Sequence, residues 1–266
     1  TTLAGRYRLL STGVAQDVGV VHDAYDTAED RPVTVLVLPP GRLPGAEALR
    51  RLIEVQERVA GLQQQGLVPY EHAGILAGRV FLVRPSLPQR SLAQILAAGA
   101  PLDAGAAIEI ALHLSELLAP LHRAGIVHGS LSPYSVLAGQ QTPSGARASE
   151  WTVSVVDIGL LPALQSGEAA GRRGWGRSPF FSPEQARGLE ARPSSDVYVI
   201  ASLLYTMLAG RPPFRGADAA LVERALNRLL DARGTVVLFD DEGRVLAASA
   251  TALDRLAAEA TLRGKL

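Results

Sequence analysis

The sequence predicts an α+β fold, with strands concentrated at the start and helices after them. Apolar alternation marks Tyr7–Leu10, Gly19–Ala24 and Pro32–Leu38 as strands separated by turns. Apolar residues at helical spacing begin at Ala46 and recur from Ser91 onward. The 266 residues, 47% of them apolar, suffice for one large domain or a two-lobed one.

Composition narrows the function classes. The 26 basic and 26 acidic residues cancel, so no overall field draws the chain to nucleic acid or an anionic membrane. The absence of cysteine excludes disulfides, thiolate metal sites and cysteine nucleophiles, and matches a reducing compartment. No apolar run reaches the roughly 18 residues of a membrane span, and the first residues lack a secretory pattern. The expectation is a cytoplasmic protein, or the cytoplasmic part of a longer one, with no membrane segment in this chain. Arginine supplies nearly all the positive charge, and Lys265 is the only lysine.

Ala46–Leu62 carries Leu52, Val55, Val59 and Leu62 on one face and reads as an amphipathic helix. Leu67–Ala73 and Arg79–Arg84 read as two further strands. Ser91 is placed to cap a helix, and Asp103–Ala124 forms a long apolar-faced one. Gly139–Glu150 is polar and reads as a loop. Ser195–Leu208 reads as a buried helix. Beyond Phe214 come a helix over Asp218–Ala232, a hairpin of Thr235–Phe239 and Arg244–Ala248, and a last helix over Ala250–Leu262.

Several short motifs stand in a fixed order. His122–Leu137 reads HRAGIVHGSLSPYSVL and is followed by Val155-Val156-Asp157-Ile158-Gly159. Then come Phe180-Phe181-Ser182-Pro183-Glu184, Ser195-Asp196-Val197-Tyr198 and Gly210-Arg211-Pro212-Pro213-Phe214. The series resembles the bacterial serine/threonine protein kinase family, with its His-Arg-Asp-Leu-Lys-Pro-x-Asn-x-Leu catalytic loop, Asp-Phe-Gly and Ala-Pro-Glu. The resemblance implies a bilobal fold with a small β-rich N-lobe over 1–84 and a mainly helical C-lobe over 85–216. A divergent helix-hairpin-helix over 217–266 then replaces the usual last helices. It also implies structural roles for His128, Gly159, Glu184 and Asp196, the last capping the backbone of the catalytic loop.

At the positions that handle phosphate and metal the resemblance breaks. It places the three glycines of the phosphate-covering loop at Val14, Gln16 and Gly19, of which only Gly19 is glycine. Leu36 stands where the family has its phosphate-holding lysine, and Val55 where it has the glutamate that pairs with that lysine. Thr34 and Arg84 occupy two positions around the adenine. Arg84 is read as a side chain snorkelling out of a closed cleft, in preference to a new anion site. Gly129, Ser130, Ser132 and Ser135 replace the loop's arginine, base aspartate, lysine and metal-binding asparagine. A serine hydroxyl has no basicity near neutral pH and is a weak magnesium ligand. His128 and Ser130, two residues apart, do not align as a hydrolytic pair. Asp157 alone is retained as a metal contact.

The expectation is a degenerate family member, a pseudokinase and no enzyme, with ATP and magnesium binding weak or absent. Its role would be a protein-interaction scaffold or regulator in bacterial signalling, with an active kinase or a phosphopeptide-binding domain as partner. The alternative is a nucleotide-binding switch or weak phosphotransferase using Asp157. Ser166 and Ser178, near Arg172, Arg173 and Arg177, are candidate phosphoacceptors; the competing reading is a glycine-rich loop with solvated charges.

Overall fold

The computed structural model describes residues 2–16, 18–40, 46–141, 150–165, 178–186, 188–214, 237–239 and 245–248. Seven strands form one antiparallel sheet: β1 (Thr2–Leu3), β2 (Tyr7–Leu9), β3 (Val14–Ala15), β4 (Val20–Asp26), β5 (Arg31–Val37), β6 (His72–Leu76) and β7 (Arg79–Pro85). Their order is β1-β2-β4-β5-β7-β6, with β3 paired to β4. The central strand β5 is β-branched and apolar, as a strand covered on both faces must be. Val33 and Val35 pack with Tyr7, Ala24, Phe81 and Val83 on one side. Leu36 packs on the other, with Leu52, Tyr70 and Leu82.

At the end of β4, Asp26 is fully buried, and Arg6 reaches it with Nε and Nη2, each at 2.7 Å. The Ala28 and Glu29 N–H groups add bonds of 3.0 and 3.3 Å to the same carboxylate. The bidentate guanidinium, as the largest influence, holds the Asp26 carboxyl well below the usual carboxylate range. Glu29 and His72 complete a group with metal-ligand spacing around Asp26, but Arg6 also bonds Glu29 at 2.5 Å, so the group already has its cation.

α1 (Ala46–Gly61) lies against the sheet. Ala48, Leu52 and Val59 are buried, and Gln56 sits among them only 4% exposed. Its outer, solvent-facing side pairs Glu47 with Arg50 and Arg51 and Arg50 with Glu54, at the i,i+3 and i,i+4 spacings where helix neighbours meet.

α2 (Leu92–Gly99) opens on a capping box: Gln94 N–H donates to Ser91 Oγ at 3.2 Å, and Ser91 N–H to Gln94 Oε1 at 2.9 Å. α3 (Ala104–Arg123) is capped by Asp103 Oδ2, which accepts from Gly105 and Ala106 N–H. Among the described residues it is the one helix long and apolar enough to cross a membrane. Its Ile110, Leu114, Leu118 and Leu121 are instead in the main core with Val199, Leu203 and Met207. The latter belong to α6 (Pro193–Ala209), which starts with proline in its first turn and ends on left-handed Gly210, φ +71°.

A second sheet runs β10-β9-β8, from β8 (Arg90–Ser91), β9 (Val136–Gln141) and β10 (Glu150–Val155). α4 (Leu160–Gln165) and α5 (Pro183–Ala186) are short, and β11 (Val237–Phe239) pairs antiparallel with β12 (Val245–Ala248).

The expected hairpin near the C-terminus is therefore present as β11 and β12. The helices expected over 218–232 and 250–262 lie outside the described residues. The strand expected over Leu67–Ala73 begins only at His72. Leu67–Tyr70 gives its hydrogen bonds elsewhere: Val68 N–H donates to Val155 O at 2.9 Å, and Val155 N–H to Gly66 O at 2.7 Å. Of the expected loop Gly139–Glu150, residues 139–141 and Glu150 are strand, and 142–149 lie outside the described residues.

Candidate functional site

Asp196, 1% exposed in the first turn of α6, organises the site from beneath. It accepts the N–H groups of His128 and Gly129, both at 2.9 Å, and meets His122 Nε2 at 2.8 Å. His128 is fully buried, and its Nε2 bonds the Val156 carbonyl at 3.0 Å. A carbonyl only accepts, so Nε2 is the protonated nitrogen and Nδ1 accepts the Ser130 N–H at 3.2 Å. Burial pushes the His128 pKa down, consistent with a neutral ring. The His128 carbonyl accepts Gly159 N–H at 3.0 Å, so one residue ties both loops together.

Gly129 is left-handed at φ +69°, and a Cβ there would lie 2.5 Å from Pro162 Cγ. No arginine fits this position without moving α4. Ser130 Oγ donates to the Asp157 carbonyl at 2.9 Å. Ser135 is 1% exposed; its Oγ accepts Ser132 N–H at 2.9 Å and lies 3.2 Å from the Ser132 carbonyl, to which it donates. Both hydroxyls therefore serve the loop, and Ser135 is not free as a metal ligand.

Asp157 is 7% exposed and adopts φ +64°, uncommon for a residue with a side chain. Its Oδ1 accepts the hydroxyl of Tyr70. Burial, reinforced by the adjacent carboxylate, raises the Tyr70 phenol well above its ordinary pKa, so it remains a donor at neutral pH. Gln56 joins the same group: its Oε1 accepts Tyr70 N–H at 2.9 Å, and its Nε2 donates to Ile158 O at 2.8 Å. Sequence reasoning missed Tyr70 and Gln56. The available signal was a polar residue on an apolar helix stripe, since Gln56 lies four residues after Leu52 and three before Val59.

Leu36 clusters with Leu52, Leu82, Leu160, Ala163 and Leu164, so α4 supplies its apolar neighbours from directly after Asp-Ile-Gly. Val55 packs over Gly159, where a Cβ would come 2.8 Å from its Cγ1. Among the phosphate-loop positions, Val14 is 60% exposed and Gln16 N–H donates to Gly19 O at 2.8 Å. Gly19 lies so close to Val37 that a Cβ would sit 2.5 Å from its carbonyl oxygen. Thr34 pairs across β5 and β7 with Arg84. The snorkelling reading of Arg84 needs correction: the residue is only 8% exposed, and Nη1 makes a long 3.4 Å bond to Pro85 O.

Glu184 accepts the hydroxyl of Ser195, whose Oγ also accepts Arg192 N–H at 2.9 Å at the start of α6. A side chain already used as a cap thus partners Glu184. Ser178 Oγ accepts Phe180 N–H at 3.3 Å. Ser166, Arg172, Arg173 and Arg177 lie outside the described residues.

Asp157 fits one contact to the metal of a magnesium–nucleotide. Ser135 does not fit a second, Leu36 offers no charge to phosphate, and Ser130 has no basicity for a hydroxyl proton.

The curled antiparallel sheet, the helical second half and the two loops joined by His128 and Asp196 define a bilobal protein kinase-like fold. Residues 18–242 match the family model for the protein kinase domain, and the chain belongs to that family. It is 29% identical over 221 residues to the probable serine/threonine-protein kinase PknB of Lactococcus lactis, covering 82% of this chain and 34% of that protein. Identity is also 29% over 221 residues to serine/threonine-protein kinase PknL of Mycobacterium tuberculosis, covering 82% of this chain and 53% of that protein. The chain thus spans about a third to a half of the curated relatives it matches. The PknI kinase domain of Mycobacterium tuberculosis superposes with a TM-score of 0.60 at 20% identity, over 86% of this chain and 85% of that chain. That likeness shows the fold.

These relatives correct the expectation that the chain is no enzyme. The matched family is that of the protein kinase domain and the relatives are named serine/threonine-protein kinases, which points to a kinase rather than a non-enzyme.

Proposed function

We propose that this chain is a cytoplasmic kinase domain of bacterial serine/threonine signalling that binds magnesium–nucleotide through Asp157 and performs phosphoryl transfer with a reduced set of side chains. The observation that carries this reading is Asp157 itself, retained after Val156 and held in a left-handed conformation between the two loops. A bound magnesium–nucleotide supplies the phosphoryl group and neutralises its charge. The chain's part is to orient: His128 and Asp196 fix the loop, Ser130 secures the Asp157 backbone, and Asp157 offers its carboxylate.

Thermal shift with ATP, with and without magnesium, tests the reading together with transfer of labelled phosphate to the protein or a generic substrate. Saturable magnesium-dependent stabilisation, lost in Asp157→Ala, is expected, because a ligand that binds the native state raises apparent stability. No shift at millimolar nucleotide overturns it.

A second reading, regulation or scaffolding by contact with another protein such as a further kinase or a phosphopeptide-binding domain, is favoured by the apolar packing of Leu36 with Leu160 and Leu164. Under that reading, complementation of a deletion strain survives Asp157→Ala.

A further inference from the structure

Arg84 is a buried cation without a counter-charge. The residue is 8% exposed, and among the described residues it makes no ion pair and only the long 3.4 Å bond from Nη1 to Pro85 O. A guanidinium stays charged at any physiological pH, and a buried charge without a partner is strongly disfavoured. Its unbonded nitrogens are not sealed, however. Among the described residues, the buried polar side-chain atoms that lack both solvent and a partner are the Tyr198 and Tyr205 hydroxyls. The unbonded side of the guanidinium therefore meets solvent through a narrow opening.

The register of the sheet sets what lies beside it. Asp23, Thr34 and Arg84 are direct partners across β4, β5 and β7. Side chains alternate along a strand, so this row shares the face of Leu36 and Leu82, opposite that of Val33 and Val83. Thr34, 6% exposed, stands next to Arg84, and its hydroxyl has no hydrogen bond among the described residues. Asp23 is exposed and lies two strand spacings from Arg84, about 10 Å at the backbone. The Tyr70–Asp157 pair is within reach of the guanidinium's field: Arg84 acts on the Tyr70 phenol against burial and against the Asp157 carboxylate. That carboxylate is already bonded to Tyr70, and its charge disfavours a doubly charged ion nearby.

We propose that Arg84 and Thr34 form an oxyanion site on this face of the sheet, taking a small, singly charged carboxylate. The planar guanidinium presents paired N–H groups that match the two oxygens of a carboxylate, and the Thr34 hydroxyl donates a further bond. Leu36 and Leu82, 2% and 1% exposed, restrict the opening to a small headgroup. The site needs neither metal nor nucleotide and does not rest on the reading of Asp157 as a metal contact.

Acetate is the probe, compared with sodium chloride at equal ionic strength so that general screening cancels. Saturating acetate should raise the Tm of the whole chain by about 2–4 °C over chloride. Arg84→Met, which keeps an apolar stem and removes the charge, should show no such rise. Arg84→Lys, which keeps the charge without the fork, should need about tenfold more acetate. Asp157→Ala should respond at least as well as the wild type. An equal response in wild type and Arg84→Met, or none in the wild type, overturns the site. Loss of the response in Asp157→Ala also overturns it, because the anion would then sit on a cation held by Asp157. Inorganic phosphate acting as strongly as acetate overturns the assignment to a singly charged carboxylate. Should Arg84→Met not fold, Thr34→Val decides through saturation-transfer NMR of the acetate methyl group. Weaker acetate binding than in the wild type supports the site, and equal binding overturns it.

Discussion

At Gly129 a left-handed φ of +69°, together with the 2.5 Å that would separate a Cβ from Pro162 Cγ, sets the residue type. Gly129→Ala adds that Cβ and should cost about 2–4 kcal/mol, of which the left-handed backbone accounts for about 1–2 kcal/mol. Gly129→Arg, which would restore the family's residue, should cost at least as much, because the rest of its stem must also be accommodated beside α4. Urea denaturation of the two variants measures the difference. Pro162→Ala should recover part of the arginine penalty in a double-mutant cycle, whereas strict additivity would show that Pro162 is not the obstacle. The motif made the positions of His128 and Asp196 legible in the sequence. It did not make legible why Gly129 is glycine, because the obstructing proline lies 33 positions away and its approach depends on α4. Tyr70 was hidden for a related reason: in an apolar segment a tyrosine reads as core, and only the folded chain brings its hydroxyl to Asp157.

Among the elements, long periodic ones were readable and short ones were not. α1 and α3 announce themselves through sustained apolar spacing, and Ser91 and Asp103 through capping chemistry. α4 has only six residues, and Leu-Leu-Pro-Ala-Leu-Gln shows less than two turns of any period. Its proline is tolerated because it falls in the first turn, where backbone N–H groups have no helical partner. Leu67–Tyr70 misled for a different reason, since an apolar run does not reveal which strand its backbone will bond. α4 matters because it surrounds Leu36, 2% exposed, with Leu160 and Leu164. Leu36→Lys places an ammonium there, and Val55 offers it no carboxylate. The variant should lose roughly 2–4 kcal/mol in chemical denaturation, the range for an unpaired buried charge after relaxation. Retained stability with faster phosphate transfer would show that the side chain reaches phosphate and that the apolar cluster does not define the cleft.

On the scale of the molecule, two cores cross from the sheet-rich half to the helical half. Leu36, Leu52 and Leu82 share a cluster with Leu160 and Leu164, while Val59 and Leu67 join the cluster built on α3 and α6. Backbone bonds reinforce the junction, with Val68 and Gly66 on both sides of Val155 and Gln56 reaching Ile158. Lobes that share buried side chains cannot separate without exposing them, so β5 and α3 should open together in native-state amide hydrogen exchange. Leu164, 4% exposed and clustered with Leu52 of α1 and Leu36 of β5, tests the coupling. Leu164→Ala should destabilise by about 2–4 kcal/mol, as a buried leucine truncation does. The loss should appear equally in the slowest-exchanging amides of β5 and of α3, even though α3 belongs to the other cluster. If β5 amides lose protection while those of α3 keep theirs, the two halves unfold as separate units, and the shared cores do not make them one cooperative body.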